Sequence, residues 1–339
     1  MTSKSLLIAV GVSITATHAA HALEWERGNY SFDLGGYGTA GVINADDKKP
    51  DFLGDWRIRA QAAYGPRQNK FGAVFATDAE KFDEARYIDD LFAFWQNSTF
   101  GRIELGMTES AAGKLGLGLP DVGAMRINDE PLFYKKIYAQ GPVISDTELD
   151  SGDQSLRLNY VTNRIGGAQY GLSVATLGDG FDYAVDAGVK IRNPRGKTKT
   201  AFSLGASFME NLDNFHADCY SPHVTADWRA QFAAGMNVQY NSWLVGLTAR
   251  AIYDYDAIGV ATDGIAAGAG VSYDLLKYSV SVSYLMSATG IWHDDDTRYV
   301  DNTVIASLRY KYSANIDGWT SLGASTKTPF VAAGLRLTF

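Results

Sequence analysis

The chain has 339 residues and a formal net charge of −8, with 35 glycines, 19 tyrosines and 16 phenylalanines against 8 prolines. No block of five or more basic residues occurs, so nucleic-acid binding, which relies on clustered Lys and Arg, is excluded as the main activity. The single cysteine, Cys219, excludes an intramolecular disulfide framework. Beyond Leu23 no stretch approaches about 18 consecutive apolar residues, which excludes membrane-spanning helices, and abundant Gly and aromatics without long helical patterns indicate an all-β chain.

At the start, Lys4 precedes an apolar run from Leu6 to Ala16, and Ala20-His21-Ala22 has the small-x-small form of a cleavage site. Residues 1–22 are read as a secretory signal peptide, since the apolar run is shorter than the roughly 20 residues a spanning helix needs. The mature protein then begins at Leu23, and loss of Lys4 brings the net charge to −9. With no linker or low-complexity segment to divide it, 23–339 is expected to form one unit.

Sixteen strand-like segments follow, at 29–44, 52–65, 69–78, 87–97, 100–108, 154–163, 167–177, 181–193, 197–209, 224–240, 242–255, 261–274, 277–288, 298–313, 317–326 and 328–339. The clearest is Ala226–Tyr240, where Trp228, Phe232, Met236, Val238 and Tyr240 share an apolar face opposite Asp227, Arg229, Gln231 and Asn237. Its fifteen residues exceed the usual strand of about 5–6 and suit a tilted membrane strand of about 9–11 with an extension. Trp243, Val245, Leu247, Ala249, Ala251 and Tyr253 repeat the pattern after a tight turn at Asn241-Ser242. Short turns also fall at Pro66-Arg67-Gln68, Ser98-Thr99, Arg164-Ile165-Gly166, Pro194-Arg195-Gly196, Leu275-Leu276 and Ala314-Asn315-Ile316. The intervening connections are mostly longer, notably 109–153 and 210–223. Short turns at one end and longer loops at the other fit an outer-membrane barrel with periplasmic turns. Tyr64, Tyr160, Tyr240, Trp243, Tyr278, Tyr310 and Tyr312 gather near the short turns, and Phe208, Trp228 and Tyr253 near the longer loops, as two interfacial girdles require.

The last segment alternates Val331, Ala333, Leu335, Leu337 and Phe339 with Ala332, Gly334, Arg336 and Thr338. A final strand closing on an aromatic resembles the signature of bacterial outer-membrane β-barrels. Phe100-Gly101-Arg102-Ile103-Glu104-Leu105-Gly106 resembles the fifth strand of the Gram-negative general porins, and Leu119-Pro120-Asp121-Val122-Gly123 partly resembles that family's Pro-Glu-Phe-Gly-Gly loop motif. The resemblance covers essentially all of 23–339. It implies a transmembrane antiparallel β-barrel of sixteen strands, a homotrimer in the outer membrane, and a long third loop, 109–153, folded into the lumen. It also implies that the strand ending at Phe339 is an address for the barrel-assembly machinery.

A barrel of about sixteen strands encloses an aqueous channel, so selectivity must come from an inward segment and lumen-facing charges. The 109–153 segment carries eight acids and four bases, and Glu109, Asp121, Asp129 and Glu130 are read as its acidic edge. Strand phase sets the opposing wall. Arg57 and Arg59 alternate with Ile58, Ala60 and Ala62; Arg102 opposes Ile103 and Leu105; Arg157 opposes Leu156 and Leu158. Charges are costly toward lipid, so these arginines are placed in the lumen. Arg86 is a further candidate. The alternatives are ordinary solvated loop and lumen charges.

Other constellations are weaker. His216, Asp218, Cys219 and His223 lack a recognised ligand spacing, so no metal site or cofactor is assigned. His293-Asp294-Asp295-Asp296 is read as a solvated acidic loop that could touch lipopolysaccharide through bridging cations. The expected function is passive diffusion of small hydrophilic solutes and ions, with a weak cation preference from the acidic balance. The rival readings are a substrate-specific channel for sugars or anions, and an outer-membrane barrel hydrolase. The second lacks a Gly-x-Ser-x-Gly motif and keeps only His216, His223 and His293 as candidate bases.

Overall fold

The structure, a computed structural model, describes residues 23–45, 50–79, 88–123, 147, 149, 155–178, 181–194, 196–215, 224–255, 263–289, 299–326 and 328–339. Its strands are β1 (Leu23–Arg27), β2 (Tyr30–Ala45), β3 (Asp51–Tyr64), β4 (Asn69–Ala79), β5 (Asp90–Asn97), β6 (Gly101–Met107), β7 (Leu156–Val161), β8 (Ala168–Gly178) and β9 (Phe181–Asn193). They continue with β10 (Thr198–Phe215), β11 (Val224–Tyr240), β12 (Trp243–Tyr255), β13 (Gly264–Leu275), β14 (Tyr278–Thr289), β15 (Tyr299–Lys311), β16 (Ile316–Ser325) and β17 (Thr328–Thr338). One short helix, α1 (Ala111–Leu115), follows β6.

From β2 to β17 each strand pairs antiparallel with the next, and β17 pairs back onto β2, from Phe330 opposite Ala45 to Thr338 opposite Tyr37. These sixteen strands close a barrel, as the segment count predicts. Phe339 extends the closure: its N–H donates to Gly36 O at 2.9 Å and its O accepts from Gly36 N–H at 2.7 Å. Its ring lies over Gly36, where an added Cβ would come 3.0 Å from the ring. β1 is an element that the alternation pattern does not anticipate. It turns at Gly28 (φ +62°) and continues the same edge of β2 from the point where β17 ends, with Leu23 opposite Leu34 and Arg27 opposite Tyr30.

Most strand ends lie close to the sequence reading, and two of the differences are informative. β10 does not stop at 209 but runs to Phe215, with an irregularity in its pairing to β11 between Leu212 and Phe215. Its extra residues, Glu210 to Asn214, are mostly polar; beyond the bilayer a strand has no lipid to face, and alternation is no longer required. The β13–β14 turn is Leu276-Lys277, one residue later than expected, with Leu276 in the left-handed region at φ 40°. The Asn241-Ser242 turn is as expected, Asn241 taking φ 52° in a conformation that Asn tolerates.

Register divides every strand into two faces. On β12, Trp243, Val245 and Leu247 are 50%, 47% and 53% exposed on the outside, while Thr248 and Arg250 are buried inside. Among the described residues, the outward face of β2–β17 bears one charged side chain, Glu210, at the outer rim. Aromatics pair across strands in two belts. Tyr30 with Tyr64, Phe71 with Trp95, Trp243 with Tyr273 and Tyr278 with Tyr310 lie at the short-turn end, centroids 4.5–6.3 Å apart. Tyr183, Phe208, Trp228, Tyr253 and Tyr255 stack in sequence at the other.

This two-faced arrangement predicts that Leu247→Arg, placing a charge toward the bilayer, destabilises the folded barrel by about 2–4 kcal/mol. Denaturant unfolding in lipid vesicles measures it; an unchanged midpoint would contradict the outward assignment.

Candidate functional site

The segment that follows β6 lies against the inner wall. Ser110 caps α1, its Oγ accepting from Gly113 N–H at 2.9 Å. The helix then packs on inward-facing glycines that are register partners, Gly171 of β8 and Gly188 of β9. A Cβ on Gly188 would come 2.9 Å from Ala112 Cα, and one on Gly171 would come 3.0 Å from Ala111. Beyond α1 the chain passes Gly235, Gly246, Gly268 and Gly270 of β11–β13, where Leu117, Leu119 and Pro120 fill the space that side chains would need. Bonds to the wall stitch it down. Lys190 Nζ donates to Gly116 O (2.6 Å), Ser283 Oγ to Pro120 O (2.9 Å) and Ser281 Oγ to Asp121 Oδ1 (3.0 Å). Gly123 then sits against Ser307 and Ser321 of β15 and β16.

Of the expected acidic edge, Glu109 is half-buried at the start of this segment, its backbone O accepting from Asn159 Nδ2 at 2.8 Å. Asp121 is tied to the wall, accepting from Ser281 and from Gly123 N–H, and so acts locally as an anchor. Asp129 and Glu130 lie outside the described residues, as do Arg86, His216, Asp218, Cys219, His223 and residues 293–296. Among the described residues no group of His, Cys, Asp or Glu is arranged to hold a metal.

The four arginines all point inward, in two different settings. Arg57 pairs with Asp90 at 2.8 Å and with Asp89, and Arg59 donates to Gln61 Oε1 at 3.3 Å. Arg102 bonds Glu104 through Nε at 2.7 Å and stacks on Phe94, 4.0 Å from the ring centroid. Arg157 is fully buried, its Nη1 on Asp186 Oδ2 at 2.6 Å and its Nη2 on Ser155 Oγ at 3.2 Å. Its charge is therefore neutralised inside the wall, whereas Arg57, Arg59 and Arg102 remain partly accessible.

Two features escape sequence reasoning. Glu104 is the hub between wall and segment, accepting from Arg102, from Lys114 of α1 and from Asn159 Nδ2 at 3.2 Å. Alternation places it inward, but nothing in the sequence shows that three donors converge on it. The glycine track is the second: its members, Gly205 of β10 included, sit on the six strands β8–β13 and align only once register is known. Both are carried by an antiparallel barrel whose outside is apolar and whose inside is charged.

A model of the Gram-negative porin family matches residues 7–324. The chain belongs to the Gram-negative porin family. It is an outer-membrane β-barrel forming a channel. Among solved structures the porin is similar to Salmonella typhi OmpF in complex with daunomycin, at 13% identity over 94% of this chain and 100% of that one, with a TM-score of 0.68. It is also similar to Vibrio cholerae OmpT in its trimer form (11% identity, 92% and 100% covered, TM-score 0.66). A third similar structure is a Rh. blastica porin mutant (14% identity, 91% and 100% covered, TM-score 0.57). A comparison with curated protein sequences gives no match.

The buried pair inside this porin makes a sharp prediction. Arg157→Ala leaves Asp186 charged and stripped of its partner, and should destabilise the barrel by about 3–5 kcal/mol. Loss of heat-modifiable gel mobility at lower temperature reads it; an unaltered transition would contradict the pairing.

Proposed function

We propose that this porin is a general, non-enzymatic channel for passive diffusion of small hydrophilic solutes and ions, with a weak cation preference, acting as a homotrimer. The observation that carries the reading is the 108–123 segment laid along the inner wall of β7–β16, with accessible Arg102 beside its start and accessible Arg57 and Arg59 on the wall it leaves uncovered, a narrowed but polar passage. Its basic side is Arg57, Arg59 and Arg102, with Arg157 bracing the wall behind it. Its acidic side is Glu109 with Asp129 and Glu130, and Asp121 pins the segment. Opposed charges of this kind orient dipolar solutes and slow apolar ones. Among the described residues, the inward aromatics Phe92, Phe94, Trp319 and Phe330 are buried, and Tyr37, which is partly exposed, lies under Arg336 at 4.6 Å, so they form no open stacking track, which favours the general reading over a sugar-specific one.

The trimer reading is supported by the Vibrio cholerae structure described in a trimer form. It is also supported by small outward residues, Gly38, Ala40, Ala60 and Ala333, which flatten the face of β17, β2 and β3. Cleavage after residue 22, recognition of Phe339 by the barrel-assembly machinery, and lipopolysaccharide contacts at the outer rim complete the proposal.

Planar-bilayer recording tests it. Purified porin should open water-filled channels, with a reversal potential on the cation side in a salt gradient. A correctly inserted barrel that conducts nothing would overturn the transport reading, and an anion-side reversal would overturn the preference. Gly188→Leu, which pushes α1 off the wall toward the lumen, should lower single-channel conductance; an unchanged value would contradict the constriction.

A further inference from the structure

Register sorts the inward charges along the barrel axis as well as around it. β9 carries Asp182 and Asp186 toward the long-loop end and Lys190 and Arg192 toward the short-turn end. β15 repeats the order with Asp301, then Arg309 and Lys311, and β4 runs from Lys70 at the turn to Asp78 at the far end. The remaining strands are more mixed, since Arg250 lies in the outer half of β12 on Gln231 and Arg57 pairs with Asp89 and Asp90, but acids still outnumber bases there. Asp51, Asp55, Asp89, Asp90 and Asp227 add to the outer half, and Lys199 and Arg336 to the inner. Acids at the inner end are fewer, namely Glu24 and Glu26 of β1, Asp33, Asp274 and Asp317, and Arg309 lies 3.8 Å from Asp274. The buried pairs Arg157–Asp186 and Arg229–Asp254 cancel internally. Short turns face the periplasm in such barrels. A chain of net charge −8 therefore presents a predominantly basic periplasmic mouth.

We propose that this axial separation makes the open channel a rectifier, conducting better when the outer side is positive. This rests on the channel reading above. The acidic outer zone is enriched in mobile cations and the basic inner zone in mobile anions. A potential positive on the outer side drives both toward the middle and raises the ion concentration there, and the opposite potential depletes it. The effect requires screening lengths comparable to the pore. These are about 10 Å at 0.1 M salt and about 3 Å at 1 M, so rectification is a low-salt property. The net charge alone does not set selectivity, because an ion of either sign meets one zone of its own sign.

The test is open-channel current from the full-length porin in symmetric KCl. At 0.1 M the current at +100 mV on the outer side should exceed that at −100 mV on the order of 1.5–2-fold, falling to parity at 1 M. Lys199→Glu combined with Lys311→Glu, two exposed residues outside the constriction, should reduce the asymmetry at 0.1 M while leaving the 1 M conductance unchanged, which also shows that the variant folds. The sides are identified with Leu276→Cys in a Cys219→Ser background, since the fully exposed β13–β14 turn is reached by a bulky thiol reagent from the periplasmic compartment. Channels with symmetric current at 0.1 M, rectification of opposite sense, or asymmetry that the charge reversal leaves undiminished would each overturn the proposal. Complete absence of channels would overturn the channel reading on which it rests.

Discussion

A peptide group in hydrocarbon has no water to bond, so a sheet can cross a bilayer only if its last strand finds its first. In this protein that burden falls on β17 and β2. Their pairing runs from Phe330–Ala45 to Phe339–Gly36, and β1 carries the same edge of β2 onward to Arg27–Tyr30. Once the edge is closed, the two-residue period decides everything else. Each residue faces either lipid or lumen, and a slip of one position would send Arg57 or Arg309 into the membrane.

The inside of the closed sheet is shaped by what is missing from it. Gly171, Gly188, Gly205, Gly235, Gly246, Gly268 and Gly270 leave a shallow track, and serines continue it: Ser281 and Ser283 of β14 bond the passing segment, and Ser307 and Ser321 bond each other beneath Gly123. The segment 108–123 is held mainly by close approach and by single hydrogen bonds, with one charged clamp where Lys114 meets Glu104. Because the track covers β8–β16 and leaves β3–β5 bare, the charged side chains there stay accessible, and that asymmetry is what a selective aqueous passage needs.

Much of this was legible before any coordinates. Strands such as β11 and β12 announce themselves because both faces are under constraint: lipid demands Trp, Val and Leu outside, and the lumen admits Arg and Asp inside. The inward placement of Arg57, Arg59, Arg102 and Arg157 follows from the same rule. Legibility fails where that rule lapses. β1 has only five residues at the seam, too few for its alternation of Leu23 and Trp25 with Glu24 and Glu26 to stand out as a strand, and the end of β10 rises above the bilayer. Phase also cannot separate Arg157, sealed against Asp186, from Arg102, stacked on Phe94 beside the lumen, since that depends on a partner from β9, distant in sequence. Asp121 looks like any loop carboxylate until Ser281 of β14 is brought beneath it.

The central claim is that the porin conducts while residues 108–123 stay seated on the inner wall, and a tether tests it most directly. A Cβ added at Gly123 would lie 3.1 Å from Ser307 Cβ, within reach of a disulfide after small adjustment. In a Cys219→Ser background, Gly123→Cys with Ser307→Cys should form that disulfide in folded, membrane-inserted protein, and single-channel conductance should be the same before and after reduction. Free thiols in the folded barrel, or a conductance that changes on reduction, would contradict the account.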